Sequence, residues 1–352
     1  MAMNVERLEN YQDIGKALRL YDDVKEIIVT LDVGPRIMHI SLLGKPSVIE
    51  TKSSLTEALP DGKVWRMYGG HRTWHSPEAY PRSYLCDSEP LESYELLENG
   101  IKMVQKEEPW TQIKKSMEVY FEEDGGIRVV NNMTNNNAWT IEMAVWSLTV
   151  GSRGGREVCP LSQRNTGLQT NTGYRLWPYA RMDDPRIHWG KLYAVVDNDP
   201  TDSTAFKFGY ANEDGWIAYF NHGQAFVKKF DYIRGAQYPD MGSSYQTYTS
   251  DWGVELETLS PLQKVKPGKT IFQVEKWYVV PSEGLPTYDE DEISKKLEPI
   301  AAAAGFKVPE PITSPGIPPL KKRIEAYGRD TQAAAEICRQ RVPVGLRGAD
   351  DL

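Results

Sequence analysis

The segment WRMYGGHRTWHSPEAYPR, residues 65–82, gathers groups able to do chemistry. It holds His71, Arg72, Trp74, His75 and Glu78. Imidazole titrates near neutral pH and serves as acid or base. His71 and His75 are four apart, a spacing that puts both on one face of either a strand or a helix. The same spacing suits two imidazoles on a metal. However, Arg72 stands where the glutamate of H-E-x-x-H would be, and its charge repels an ion, so no metal is expected. Rich in Gly, Pro and charge, the segment reads as a loop that carries a site on a rigid scaffold.

A second cluster is GVELETL, residues 253–259. Strand alternation puts Glu255 and Glu257 on one face and Val254 and Leu256 on the other. Asp240 and Gln246 lie just upstream, which favours a cleft over an exposed edge. Paired carboxylates suit glycoside hydrolysis. Alternatively, one carboxylate acts as general base on a sugar hydroxyl. The third cluster, residues 172–190, offers Arg175, Trp177, Tyr179, Arg181, Asp183, Arg186 and His188. Arginine forks suit carboxylates, phosphates or vicinal hydroxyls. Trp177 and Tyr179 can stack on a sugar ring.

The elements that must position these groups are mostly strands. Runs at 26–32, 36–44, 116–123, 140–150 and 253–259 are β-branched or alternating, and Asp124-Gly125-Gly126 marks a hairpin. The pattern predicts an all-β chain, a large antiparallel sandwich, over residues 1–283. After Pro281 the character changes. Residues 289–306 and 320–340 read as helices joined by a Pro-rich linker at 308–319, giving a helical extension over 284–352. This extension is too small for its own core and is expected to pack on the sandwich or on a second subunit, giving a homodimer.

Composition narrows the classes. The chain has 352 residues, 41 basic against 49 acidic, and a net charge of −8. That balance argues against nucleic acid or an anionic membrane as the partner. Three dispersed cysteines build neither a disulfide framework nor a zinc site. The N-terminus lacks the pattern of a secretory signal, and no apolar run is long enough to span a bilayer, so a cytoplasmic location is expected. There is no phosphate-binding loop, dinucleotide fingerprint or G-x-S-x-G motif. Ten Trp and 19 Tyr against eight Phe suit a wet aromatic site.

The motifs GGHRTWHSPE, LWPYA, YPDMGSS and ELETLSPL, in this order, resemble a bacterial subgroup of the galactose mutarotase-like superfamily, the aldose 1-epimerase type of β-supersandwich. The resemblance covers roughly residues 20–280. It implies that Glu257 is the general base. The family's acid histidine falls on Asn136, within Asn132-Met133-Thr134-Asn135-Asn136-Asn137. An amide cannot donate a proton at useful pKa. The acid role then passes to His75 or His71, with Arg72, Arg175 and Arg186 orienting hydroxyls or an acidic substituent. The expected substrate is an aldose, uronic acid or sugar phosphate, with no cofactor. A glycoside hydrolase or lyase at the same cleft and a non-catalytic sugar-binding protein are the alternatives.

Overall fold

The computed structural model describes residues 3–51, 55–59, 62–84, 88–167 and 169–312. The expected helix at 320–340 lies outside the described residues, as do Cys86 and Cys338. Two large antiparallel sheets of 11 and 10 strands face each other. The expected all-β class is the one observed.

Alternation explains how the sheets meet. In the hairpin Ile113–Phe121 and Ile127–Asn135, every second residue is buried. Gly125 takes the positive φ of 81° that its turn needs. The inward faces of both sheets, including Ile27, Val29, Met117, Val119, Val129, Phe206, Phe226 and Trp277, form the main core.

Five strands of the first sheet matter for the site. His71–Ser76, Ile141–Gly151, Gly253–Leu259, Tyr245–Ser250 and Phe206–Tyr210 lie side by side in that order. His71–Ser76 is thus a central strand, with all six residues buried, and not the loop its composition suggests. Its charged groups are tolerated there because each finds a partner on a neighbouring strand, on the facing sheet or, for His75, on the loop that carries Glu108.

The helix Glu290–Ala304 packs on the outer face of the second sheet. Its Ile293, Leu297, Ile300 and Ala304 meet Val158, Val195, Trp216 and Phe220. Asp289 caps its start, accepting from the backbone of Asp291 and Glu292 at 3.1 and 3.0 Å. Gly305 ends it in the left-handed region at φ 67°. Phe306 then stacks near Trp216, ring centroids 4.2 Å apart. This compact unit runs to Pro311. No helix among the described residues is long and apolar enough to cross a membrane.

Candidate active site

The five strands turn one face to the core and the other to a cavity of about 460 Å³. The outward positions supply its floor. These are Arg72 and Trp74 on the first strand, Trp146 and Leu148 on the second, Glu255 on the third, Tyr248 on the fourth and Lys207 on the fifth. Val254, Leu256, Phe206 and Phe208 point the other way into the core. Trp65, Glu57, Glu78, Tyr80, Tyr84, Tyr179 and Trp252 form the walls. The volume lies within the usual ~300–1,000 Å³ of small-molecule sites.

Register sets the polar groups. Glu255 pairs with Tyr248 and Tyr248 with Lys207, so the three form one row across the sheet. The neighbouring row runs Arg72, Leu148, Glu257, Gln246. Long cations reach diagonally between rows. Arg72 Nη2 donates to Glu255 Oε1 at 2.8 Å. Lys207 Nζ donates to both oxygens of Glu257, at 2.9 and 2.8 Å. Trp146 Nε1 donates to Glu257 Oε2 at 2.8 Å. The ammonium sits between two indoles, 5.0 Å from the Trp146 ring and 4.7 Å from that of Trp177.

These contacts shape the proton affinities. Burial pushes the Glu257 carboxyl up to about 7; Lys207 opposes the rise and the Glu255 charge adds to it. Burial pulls Lys207 down, but Glu257 and Glu255 outweigh that and hold its proton above the ordinary lysine value. Burial, then the charges of Glu257 and its neighbours, keeps the Tyr179 phenol protonated. Burial does the same for Tyr248, and Glu255 adds to it.

Glu257 does share a face with Glu255, yet it is fully buried and does not line the cavity. Lys207 and Trp146 bond it, and Trp177 lies against the lysine. Glu255 is the carboxylate of the pair that the cavity reaches. Glu78 also lines it, accepting from the Tyr84 hydroxyl at 2.6 Å.

The histidines require a correction. His71 and His75 do share a face, but it is the inner one, because Arg72 and Trp74 between them point outward. His71 Nδ1 lies 2.8 Å from Thr149 Oγ1, and its ring meets Trp277 of the facing sheet. Burial lowers its pKa to about 4, so it is neutral at pH 7. His75 faces Glu108, its Nε2 3.5 Å from Oε2. Neither can reach a substrate beside Glu255 across the sheet.

Other expected residues also separate. Arg186 is buried against Asp184, with bonds of 2.9 and 2.8 Å, and belongs to the frame. Arg175 donates to Gly173 O and does not line the cavity. Gln246 and Asp240 bond each other at 2.5 Å. Asn136 is exposed on Glu107, at 2.6 Å, at the end of a strand in the second sheet. The motif match there therefore does not mark an acid position in this cleft. Trp177, Tyr179, Glu78, Trp74 and Arg72 all belong to the cleft or its edge.

Lys207, Trp146, Tyr248 and Tyr84 complete the site and carried weaker signals. In AFKFG, Phe206 and Phe208 flank Lys207. Alternation then forces the lysine onto the face away from the core. That signal was legible. What Trp146 would touch was not.

Solved structures similar to this chain include galactose mutarotase-like proteins. One, from Lactobacillus casei, has a TM-score of 0.45 at 8% identity over 75% of this chain and 100% of that one. A galactose mutarotase related enzyme from Lactobacillus acidophilus gives 0.40 at 8% identity over 77% and 100%. A Synechocystis protein gives 0.49 at 10% identity over 76% and 96%. No family model and no curated protein matches the sequence. At these identities the likeness gives no residue a role, and roles follow from the site's own geometry.

Proposed function

We propose that the cleft binds a neutral carbohydrate and that the protein interconverts the anomers of an aldose. The observation that carries this reading is the row Glu255–Tyr248–Lys207 on an aromatic-walled floor. Its two ends lie two strand spacings apart, about 10 Å between backbones. A pyranose ring fits over Tyr248 with one edge toward the carboxylate and the other toward the ammonium.

Glu255 takes the proton of the anomeric hydroxyl. The bond from C1 to the ring oxygen breaks, and that oxygen takes a proton from Lys207. The open-chain aldehyde turns about C1–C2. The ring hydroxyl then attacks the other face of C1 and returns its proton to Lys207. Glu255 returns its proton to the new anomeric oxygen. Glu257 holds Lys207 in place. Arg72 orients Glu255 and lies over Trp74, 4.4 Å from the ring.

Charge favours a neutral sugar over a uronic acid or sugar phosphate. Both cations of the floor already bind carboxylates of the chain. Glu57 and Glu78 on the walls add repulsion. Proton NMR of anomer exchange over a panel of neutral aldoses, uronic acids and sugar phosphates is the test. Glu255→Gln should lower kcat by ~10²–10⁴-fold with KM nearly unchanged. Sugar binding with no accelerated exchange for any member would overturn the enzyme reading and leave a binding protein.

A further inference from the structure

A second cavity, of about 390 Å³, lies at the end of the strand His71–Ser76, with His75 and Ser76 in its lining. Tyr80 lines both this cavity and the first. We propose that the second cavity is a further subsite of the same cleft, so that the preferred ligand is an oligosaccharide whose terminal residue sits over Tyr248 and whose next units cross Tyr80 toward Trp110. The inference rests on the carbohydrate reading above and extends it to chain length.

The lining argues for a polar, ring-shaped occupant. His75 lines the cavity at 2% exposure, with its Nε2 3.5 Å from Glu108 Oε2. Arg82 contributes a buried Nε without a hydrogen bond. Asn137 and Glu142 add amide and carboxylate groups. Such groups suit hydroxyls, and a buried polar atom without a partner costs free energy that a ligand hydroxyl would relieve.

Trp110 supplies the stacking surface. It is 62% exposed at the rim, yet its loop is fixed. Glu108 N donates to Ile113 O at 3.0 Å, and Gln112 N to Glu108 O at 2.8 Å. Asn137 Nδ2 ties the adjoining loop to Thr111 O at 2.6 Å. Beneath it, Glu108 is buried against Lys115 at 2.6 Å. A large indole held outward on a pinned loop loses little entropy on binding. Tyr80, also exposed, bridges the two cavities with its ring 5.8 Å from Tyr84.

The test compares reducing malto-, cello-, manno- and xylo-oligosaccharides of one to six units. Anomer exchange is followed by NMR, and affinity by calorimetry on Glu255→Gln. At least one series should gain about fivefold to tenfold in affinity and in kcat/KM between one unit and three. Trp110→Ala should remove that gain while leaving the free monosaccharide unchanged, and Trp110→Phe should keep most of it. Equal melting temperatures for the variants and wild type would exclude misfolding. Monosaccharides handled with no gain on lengthening, or a gain that survives Trp110→Ala, would overturn the subsite alone. No saccharide of any length bound by the wild type would overturn the carbohydrate reading together with it.

Discussion

At the residue scale, the cleft separates two carboxylates that strand alternation places on one face, and it is Glu255, not the Glu257 that the resemblance marks as base, that lines the cavity. Glu257 is buried against Lys207 and, in the proposed reaction, acts through it. Protonating Glu257 removes the negative charge that holds the lysine proton, which makes Lys207 a stronger donor. The kcat of the wild type should therefore rise as pH falls through about 7, the value to which burial raises Glu257. A pH–rate profile of Glu257→Gln should lack that limb; an unchanged limb would remove Glu257 from the relay. The stability sign is the same. A carboxyl raised in the folded state stabilises below its unfolded pKa, and that contribution is lost as pH rises toward 7. Leaving Lys207 buried without its partner should cost ~3–5 kcal/mol in Glu257→Gln. Adding Lys207→Met should recover part of it, as a urea double-mutant cycle would measure.

At the element scale, the strand His71–Ser76 works on both faces. Outward, Arg72 and Trp74 build the cleft. Inward, its residues join a polar layer between the sheets. Thr73 Oγ1 donates to Asn131 Oδ1 at 2.7 Å, and Lys228 lies 3.1 Å from Glu275, both fully buried. His71 is neutral within this layer, with its pKa lowered to about 4 by burial. The unfolded chain takes up that proton near 6.5, so stability falls as pH drops from there toward 4, by on the order of 3 kcal/mol. His71→Gln should flatten this part of the acid-unfolding curve. Parallel curves for variant and wild type would mean that His71 does not drive it.

At the scale of the whole molecule, the helix Glu290–Ala304 and the cleft lie on different sheets. The helix covers the outer face of the second sheet, and the cleft opens on the outer face of the first. Stability and chemistry should therefore separate. Leu297, fully buried under the helix, should cost ~2–5 kcal/mol when truncated to Ala. Turnover at saturating sugar should stay within about twofold of wild type, because distant sites act independently. A Leu297→Ala variant that folds stably yet loses turnover would show that the two sheets communicate.

The sequence alone determined the class of fold, since alternation in runs such as Ile113–Phe121 and the hairpin at Asp124–Gly126 is local. It also determined that Glu255 and Glu257 share a face, because a strand has a period of two. Tertiary structure alone decided which face of His71–Ser76 meets the cleft. That strand carries polar groups on both sides, so hydrophobic pattern cannot orient it. Its inward histidines are acceptable only because Thr149, Asn131 and Glu108 come from other strands and loops. Likewise, Lys207 covers Glu257 through a diagonal contact between strands whose residues lie 50 apart in the chain. Such contacts depend on register between distant segments, which no local pattern encodes.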